Sequence, residues 1–273
     1  MQLPLNLSRM WCLAKFELIR LFFTKSGLLS LAVFSTIWFG ILYYLVASAV
    51  DIMYNSEFKS LAQSLFGGFG LSELFNWPVA ELAVFWLVAL YSFPFFALII
   101  SSDQTCADRD RGTLRFISLR ATRLEIIFGR FLGQVIIIAI LIALTLLATL
   151  IMAGFRDLSL LTNGVAIASN LFFELIIIVL PFIALMTFFN SFTKSSRAAL
   201  GLCTLFFGVL PLIISLIAYQ LPALAALQYI FPGYQISNVV NAADIGITDR
   251  LLPIAQMIAY LSVAQLVMKR SSL

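Results

Sequence analysis

Residues 101–130 hold the densest group of ionisable side chains in the chain. This stretch carries ten charges of both signs, interspersed with apolar side chains. A segment that binds only lipid headgroups is expected to be more uniformly basic, so the mixture favours docking of a soluble protein. The side chains that we expect to contact such a partner are Asp103, Asp108, Asp110, Arg111, Gly112, Thr113, Leu114, Arg115, Ile117 and Arg123.

Within this stretch, Gly112 interrupts the charges and permits a backbone turn that a side chain would hinder. After it, Leu114 and Ile117 can share an apolar helix face with Ile126 and Ile127, while Arg120 and Arg123 stay polar. The pattern predicts short amphipathic helices. Leu114 and Ile117 are then the expected apolar anchors of the interface, because a few buried residues carry most binding energy at small interfaces.

Residue types that perform catalysis are sparse. The chain has no histidine, which is the commonest general base and metal ligand. Its three cysteines, Cys12, Cys106 and Cys203, are isolated and lack the spacing of a zinc site or a disulfide framework. We therefore expect no metal site, no cofactor bound by this chain and no enzymatic activity of its own.

The elements that position these residues must be membrane helices. Hydrophobic residues make up 62% of the chain and charged residues 11%, whereas soluble domains carry about 25% charged residues. This composition excludes a soluble enzyme and a disordered region. Crossing the bilayer takes about 20 apolar residues, and the stretches that qualify are 27–50, 79–100, 131–153, 165–189, 198–219 and 251–268. The predicted fold is all-α, with six transmembrane helices.

The distribution of basic residues predicts the orientation. Segments 1–26, 101–130, 190–197 and 269–273 together hold 14 of the 17 Lys and Arg residues. By the positive-inside rule, these segments and both termini are cytoplasmic, and the loops 51–78, 154–164 and 220–250 lie outside. Ala47-Ser48-Ala49 resembles a signal-peptidase site, but the preceding apolar stretch is longer than the 7–15 residues typical of a signal peptide.

Two segments outside the spans have apolar patterns. In residues 1–26, Trp11, Ala14, Leu18 and Phe22 share one helix face, which predicts a helix at the cytoplasmic interface. The alternative is a simple basic flank of the first span. Residues 223–231 are too short to span the bilayer and too apolar for a free loop, so they are expected to be re-entrant or to form a helix lying on the surface.

Within the spans, Glu81, Asn170 and Glu174 are candidates for a polar translocation path. Acidic residues inside membrane helices are costly and mark functional-site hypotheses. Glu174 lies near the expected middle of its span, with no basic residue nearby in that span. We expect it to line a polar cavity, or to be held neutral by a hydrogen bond with a group such as Asn170.

One stretch resembles a known family. The run Asp110-Arg111-Gly112-Thr113-Leu114, followed by Ser118, Arg123 and Gly129-Arg130-Phe131-Leu132-Gly133, is similar to the cytoplasmic loop of six-span ABC exporter permeases of the type-2, or type V, fold. It is most similar to the nitrous-oxide-reductase maturation group. The sequence departs from that pattern in lacking a proline between Ser118 and Arg123 and in having Arg130 where lysine is usual.

The resemblance implies a homodimer, or a pair of homologous permeases, in a bacterial cytoplasmic membrane. Two ATP-binding subunits would dock on coupling helices between spans two and three and hold ATP and Mg. The chain has no G-x-x-x-x-G-K-[ST] motif, so the phosphates must be bound by that partner. An extracytoplasmic accessory protein is left open, and no nucleic-acid partner is expected. The alternatives are a scaffolding membrane subunit without transport and a secondary transporter.

Overall fold

The computed structural model describes residues 6–48, 77–220, 222–236, 239 and 246–270, with side chains omitted for 218–220 and 222–225. The described residues are helical, without a β-strand. Residues 51–76 and 240–245 lie outside the described part, so the expectations for most of the first outer loop and for the end of the loop at 220–250 are not addressed by it.

The chain begins with α1, Leu7–Phe23, and then α2, Lys25–Gly40, which continues into a π-helical turn at Ile41–Val46. The second long apolar helix is α3, Ala80–Ile100, followed by a single 3-10 turn at Ser101–Asp103. Two short helices come next, α4 at Cys106–Asp110 and α5 at Thr113–Ser118.

The two longest helices form a hairpin. They are α6, Arg123–Arg156, and α7, Leu160–Asn190. After them come α8, Ser196–Gly208, and α9, Leu210–Gln220, which together make one apolar unit, then a 3-10 helix at Pro222–Ile230 and α10, Ile247–Arg270. Six of these units are long and apolar enough to cross a membrane, as the sequence predicts.

Helix α6 is longer than the predicted span because its start is capped. The Thr122 side chain accepts from the Glu125 backbone N–H, and the Glu125 carboxylate accepts from that of Thr122, which forms a capping box. The helix therefore begins at Arg123, eight residues before the expected position 131. Its 34 residues extend about 51 Å at 1.5 Å per residue, which exceeds the ~30 Å of hydrocarbon in a bilayer.

The core lies where α3, α6, α7 and α10 pack together. Helix α2 contacts this core through aromatic side chains: the Trp38 ring lies 5.1 Å from that of Phe93 and 5.4 Å from that of Phe85. In contrast, the unit formed by α8 and α9 is almost entirely exposed, since only 6% of its apolar stretch is buried.

The bundle has two ends that carry different polar groups. The network end comprises α1, residues 101–122, residues 190–196 and the last turn of α10. The hairpin end comprises the turn 157–159 between α6 and α7 and the first turns of α3 and α10. Since α6 and α7 are antiparallel neighbours, these two regions lie at opposite ends of the long helices.

Candidate functional site

The network end is organised around Arg130, whose side chain is 1% exposed. One guanidinium nitrogen donates to the carboxylate of Glu17 on α1, and another donates to the carboxylate of Asp108 on α4. The guanidinium carbon also lies 5.5 Å from the centre of the Phe16 ring. A single residue of α6 thus joins the N-terminal helix to the helices between the second and third spans.

Close approach of α1 to α6 depends on two glycines. A Cβ at Gly129 would lie 2.9 Å from the carbonyl oxygen of Met10. A Cβ at Gly133 would lie 2.9 Å from the Cβ of Glu17 and 3.0 Å from the carbonyl oxygen of Ala14. Because these contacts are made with backbone atoms or Cβ atoms, α1 would have to shift outward. The Gly129-x-x-x-Gly133 pair serves packing within the chain.

Glu17 is also held by two further side chains. The Gln134 amide nitrogen donates to it at 3.0 Å, and a nitrogen of Arg20 lies 3.8 Å from the same carboxylate oxygen. Burial raises the pKa of the Glu17 carboxyl, and the guanidinium groups of Arg130 and Arg20 act in the opposite direction. The charge of this buried carboxylate therefore depends on the arginines around it.

Three arginines at the network end bind carbonyl oxygens at the C-terminal ends of long helices. Arg20 donates to the carbonyl of Asp103, just after α3. Arg109 donates to carbonyls that follow α7, those of Ser191 and Thr193, and Arg123 donates to those of Met268 and Lys269 in the last turn of α10. Helix C-terminal carbonyls lack intrahelical partners and carry partial negative charge, so arginine stabilises them.

A second, uncharged network joins the end of α3 to the end of α7. The Asn190 amide donates to the carbonyl of Ser101 at 3.0 Å, and its oxygen lies 2.7 Å from the Cys106 sulfur. Thr105 donates to the Asn190 carbonyl at 3.0 Å, and Thr187 donates to the side chain of Gln104 at 2.9 Å. These contacts fix the chain as it leaves α3 and enters α4.

The outer face of α4 and α5 presents a mixed surface. Gly112 separates the two helices with a left-handed φ of 70°, a conformation that favours glycine. The Thr113 hydroxyl lies 3.1 Å from the Asp108 carboxylate and holds the turn. The exposed side chains of this surface are Asp110, Arg111, Arg115, Phe116, Leu119 and Arg120.

The sequence-predicted contact residues divide between this surface and the interior. Leu114 was expected at a partner interface, but it is 2% exposed and belongs to the hydrophobic core, and Ile117 packs against that core. Ile126 and Ile127 are buried in α6. The exposed apolar groups here are Phe116 on α5 and Leu119 directly after it, at 72% and 75%. Asp103, Asp108 and Arg123 contact groups of this chain, as described above.

At the hairpin end, the candidate path residues form separate ion pairs. Glu81 pairs with Arg156 at 3.1 Å, and Glu174 pairs with Arg250 at 2.6 Å. Asn170 is exposed and forms no hydrogen bond with another described residue, and the side chain that Glu174 contacts is that of Arg250. Arg250 lies in the first turn of α10 and Glu174 is the fifteenth of the 31 residues of α7, so this pair joins the start of α10 to the middle of α7.

Two features of the network end were missed by sequence reasoning. Glu17 is the only acidic residue among the first 26, and it lies on the same helix face as Leu13, Ala14 and Leu21, which is a detectable signal for an inward charge. Asn190 has no such signal, since it lies among aromatic and polar residues at the end of a predicted span.

These features define a multi-pass α-helical membrane protein of the permease class, with its connecting helices ordered at one end of the bundle. The family model for ABC-2 family transporter proteins matches residues 11–271, and the chain belongs to this family. It is thus a membrane component of an ABC transporter, a class that works with an ATP-binding subunit and is not itself the catalytic enzyme. A search of curated proteins found no match to the chain.

Proposed function

We propose that this chain is the permease subunit of an ATP-driven exporter in a bacterial cytoplasmic membrane, with both termini cytoplasmic. In this proposal α4 and α5 are the coupling helices, and they dock on an ATP-binding subunit that holds ATP and Mg. One observation carries the proposal: the loop that exposes Phe116 and Leu119 also binds, through Arg109 and Arg123, the ends of α7 and α10.

The contacts of the loop supply a route for force. A displacement of α4 moves Asp108 and Arg109, which are hydrogen-bonded to α6 and to the end of α7. Movement of the segment after α5 acts on α10 through Arg123. Because these bonds involve buried or half-buried groups of well-packed helices, the helices follow the loop instead of separating from it.

The opposite end supports a role in opening the path. The Arg156 and Arg250 side chains are 35% and 48% exposed and their partners Glu81 and Glu174 are 6% and 12% exposed, so each pair is held less firmly than the fully buried pair of Arg130 and Glu17. In the proposal, Glu81 and Glu174 lie at the extracytoplasmic side, where their pairs separate when the bundle opens. Two carboxylates that are each paired with arginine do not form the relay of ionisable groups expected of a proton-coupled transporter.

An amphipathic or hydrophobic substrate fits an apolar groove on the side of the bundle. A groove of about 420 Å³ lies between α3, α7 and α8 and is lined by aromatic and aliphatic side chains that include Tyr91, Phe95, Phe182 and Phe207. A second copy of the chain is the proposed dimer partner, and the exposed apolar face of α8 and α9 is available to it. Within the family, the loop motif favours the nitrous-oxide-reductase maturation group.

The decisive experiment is capture of the ATP-binding subunit by the permease. Phe116→Ser and Arg115→Glu should leave the permease folded, because both side chains are exposed, and should reduce ATPase recovery and ATPase activity at least about tenfold. Phe155→Ser is the matched control, since Phe155 is 87% exposed at the hairpin end. Wild-type capture and transport by both α5 variants would refute coupling through this surface.

The same preparation distinguishes a transport function from a scaffolding function. If the chain is an exporter subunit, the captured ATPase should hydrolyse ATP at a rate that depends on the permease, and reconstituted vesicles should move substrate. A complex with permease-independent hydrolysis would favour a scaffolding subunit.

Orientation is tested by cysteine labelling in a variant without the three native cysteines. Cysteine at Ser159 should react with an impermeant thiol reagent from outside the cell, and cysteine at Leu119 only after permeabilisation. The reverse pattern would exclude the N-in, C-in topology.

A further inference from the structure

A polar cavity of about 490 Å³ opens at the network end between α1, the start of α2, the end of α3 and α4. Charged side chains of both signs line one wall, and Ile99, Ile100 and Ile137 line another. The coupling mechanism proposed above does not use this space. The cavity lies where the N-terminal helix α1 meets α2, the first long apolar helix.

The floor of the cavity contains an unsatisfied acceptor. Gln134 lines the cavity and is 2% exposed. Its amide nitrogen donates to Glu17, but its Oε1 accepts no hydrogen bond from a described residue. Buried side-chain oxygens are nearly always hydrogen-bonded, because leaving one unpaired is costly. An N–H or O–H donor that reaches this oxygen would satisfy it.

The charges around the cavity balance. Its lining includes three carboxylates, and two arginines, Arg20 and Arg111, stand beside them. Arg130 lies behind the wall and pairs with two of those carboxylates, Glu17 and Asp108. The net charge of the surrounding groups is therefore zero, which disfavours an ion of one sign and favours a ligand that carries both.

The two signs are available at different places. Arg111 is exposed and forms no ion pair within the described part of the chain, so it is available to an anionic group such as phosphate. The acceptors, Gln134 Oε1 and the carboxylates of Glu17 and Asp103, are suited to an ammonium. Arg20 already donates to Asp103 and lies 3.8 Å from Glu17, so Arg111 is the donor available to the phosphate.

We propose that this cavity binds the phosphoethanolamine group of an aminophospholipid. The ammonium donates to Gln134 Oε1 and to a carboxylate, the phosphate accepts from Arg111, and the acyl chains follow the apolar wall toward α2. A choline headgroup carries no N–H and cannot satisfy Gln134, and a glycerol headgroup lacks the positive charge. The site should therefore discriminate among phospholipids by headgroup.

The test measures lipid binding to the purified full chain in detergent, by native mass spectrometry and by the shift in thermal unfolding midpoint. The probes are palmitoyl-oleoyl phosphatidylethanolamine, phosphatidylcholine and phosphatidylglycerol, with glycerophosphoethanolamine and inorganic phosphate as soluble probes. The ethanolamine lipid should bind about tenfold more tightly than the other two lipids. Neither soluble probe should match it, since each lacks the acyl chains.

Matched variants locate the site. Ser30 lines the cavity and Ser35 lies on the same helix away from it, so Ser30→Phe should abolish the preference and Ser35→Phe should retain it. Gln134→Leu should also abolish it. Gln256→Leu is the control for a buried glutamine, because Gln256 likewise has an unpaired Oε1 but contacts the carbonyls of Tyr229 and Phe231 instead.

Three results would overturn the proposal. The first is equal binding of the three lipids. The second is a preference for ethanolamine that survives Ser30→Phe, which would place the binding elsewhere and remains informative if Gln134→Leu fails to fold. The third is binding of glycerophosphoethanolamine as tight as that of the lipid, which would assign the cavity to a soluble zwitterion. None of these measurements depends on an ATP-binding partner.

Discussion

The two ends of this helical bundle treat charge differently. At the network end, Arg130 is 1% exposed and contacts carboxylates from two other helices. At the hairpin end, Arg156 and Arg250 are 35% and 48% exposed, and each pairs with one glutamate. The difference indicates that the network end is the more rigid one, because a buried charge with several partners holds neighbouring helices more firmly than a partly exposed pair does.

The free energies that buried and exposed ion pairs contribute to stability differ in the same direction. Removing one partner of a buried ion pair costs about 3–5 kcal/mol, because an uncompensated charge remains. An exposed pair contributes only about 0–1 kcal/mol. In the mechanism proposed above, helices at the network end stay together while the loop moves, and helices at the hairpin end separate.

The largest expected effect comes from Arg130→Ala. It leaves Glu17 and Asp108 without their buried partner and should lower stability by about 3–5 kcal/mol, measured as the thermal unfolding midpoint in detergent. Arg250→Ala, at the other end, should cost less than Arg130→Ala, because the arginine removed is half-exposed and only one carboxylate loses its partner. Arg130→Lys should be intermediate, because one ammonium cannot reproduce the two-sided contact of a guanidinium. Equal losses in the two alanine variants would remove the contrast between the ends.

A smaller effect is expected in the packing beneath the outer face of α4 and α5. Leu114 is 2% exposed and Leu119 is 75% exposed, although they lie five positions apart. Leu114→Ala should cost about 2–4 kcal/mol through the cavity that it creates, whereas Leu119→Ala should change stability by less than about 0.5 kcal/mol. Stability is read from the same midpoint, and a larger loss in Leu119→Ala would show that α5 is oriented the other way.

The next prediction concerns the fit of α1 against α6. Gly133→Ala places a Cβ 2.9 Å from that of Glu17 and should destabilise by about 1–3 kcal/mol through overpacking. Gly201→Ala is the control, because a Cβ there meets nothing within 4 Å. It should be neutral or slightly stabilising. Protease sensitivity of the first 23 residues should rise only in Gly133→Ala, and an unchanged N-terminal helix would contradict the close packing.

The smallest effect is the coupling between Glu174 and Arg250. A double-mutant cycle with Glu174→Gln and Arg250→Gln should give a coupling free energy of about 0.2–1 kcal/mol. The coupling should shrink in high salt, since the pair is partly hydrated. A coupling above about 3 kcal/mol would show that this pair is as firmly held as those of Arg130.

Much of the architecture is contained in the local pattern of the sequence. Stretches of about 20 apolar residues have few alternatives to a membrane helix, so the six long helices could be predicted. The charge cluster between residues 101 and 130 likewise predicted a polar connection that contains short helices, and Gly112 predicted the turn between them. Helix α6 is longer than predicted because the Thr122–Glu125 capping box extends it beyond the apolar stretch.

Only the tertiary structure decided which charges face inward and which partners they have. The sequence presents Asp108 and Asp110 alike, but Asp108 binds Arg130 and Asp110 is exposed. Glu17 and Arg130 are 113 positions apart, and Glu174 and Arg250 are equally unlinked by any local pattern. Helix periodicity and hydropathy are local properties, whereas ion pairing depends on which helices become neighbours and in what register. At the network end, the packing of α1 against Gly129 and Gly133 of α6 determines which charged residues become partners.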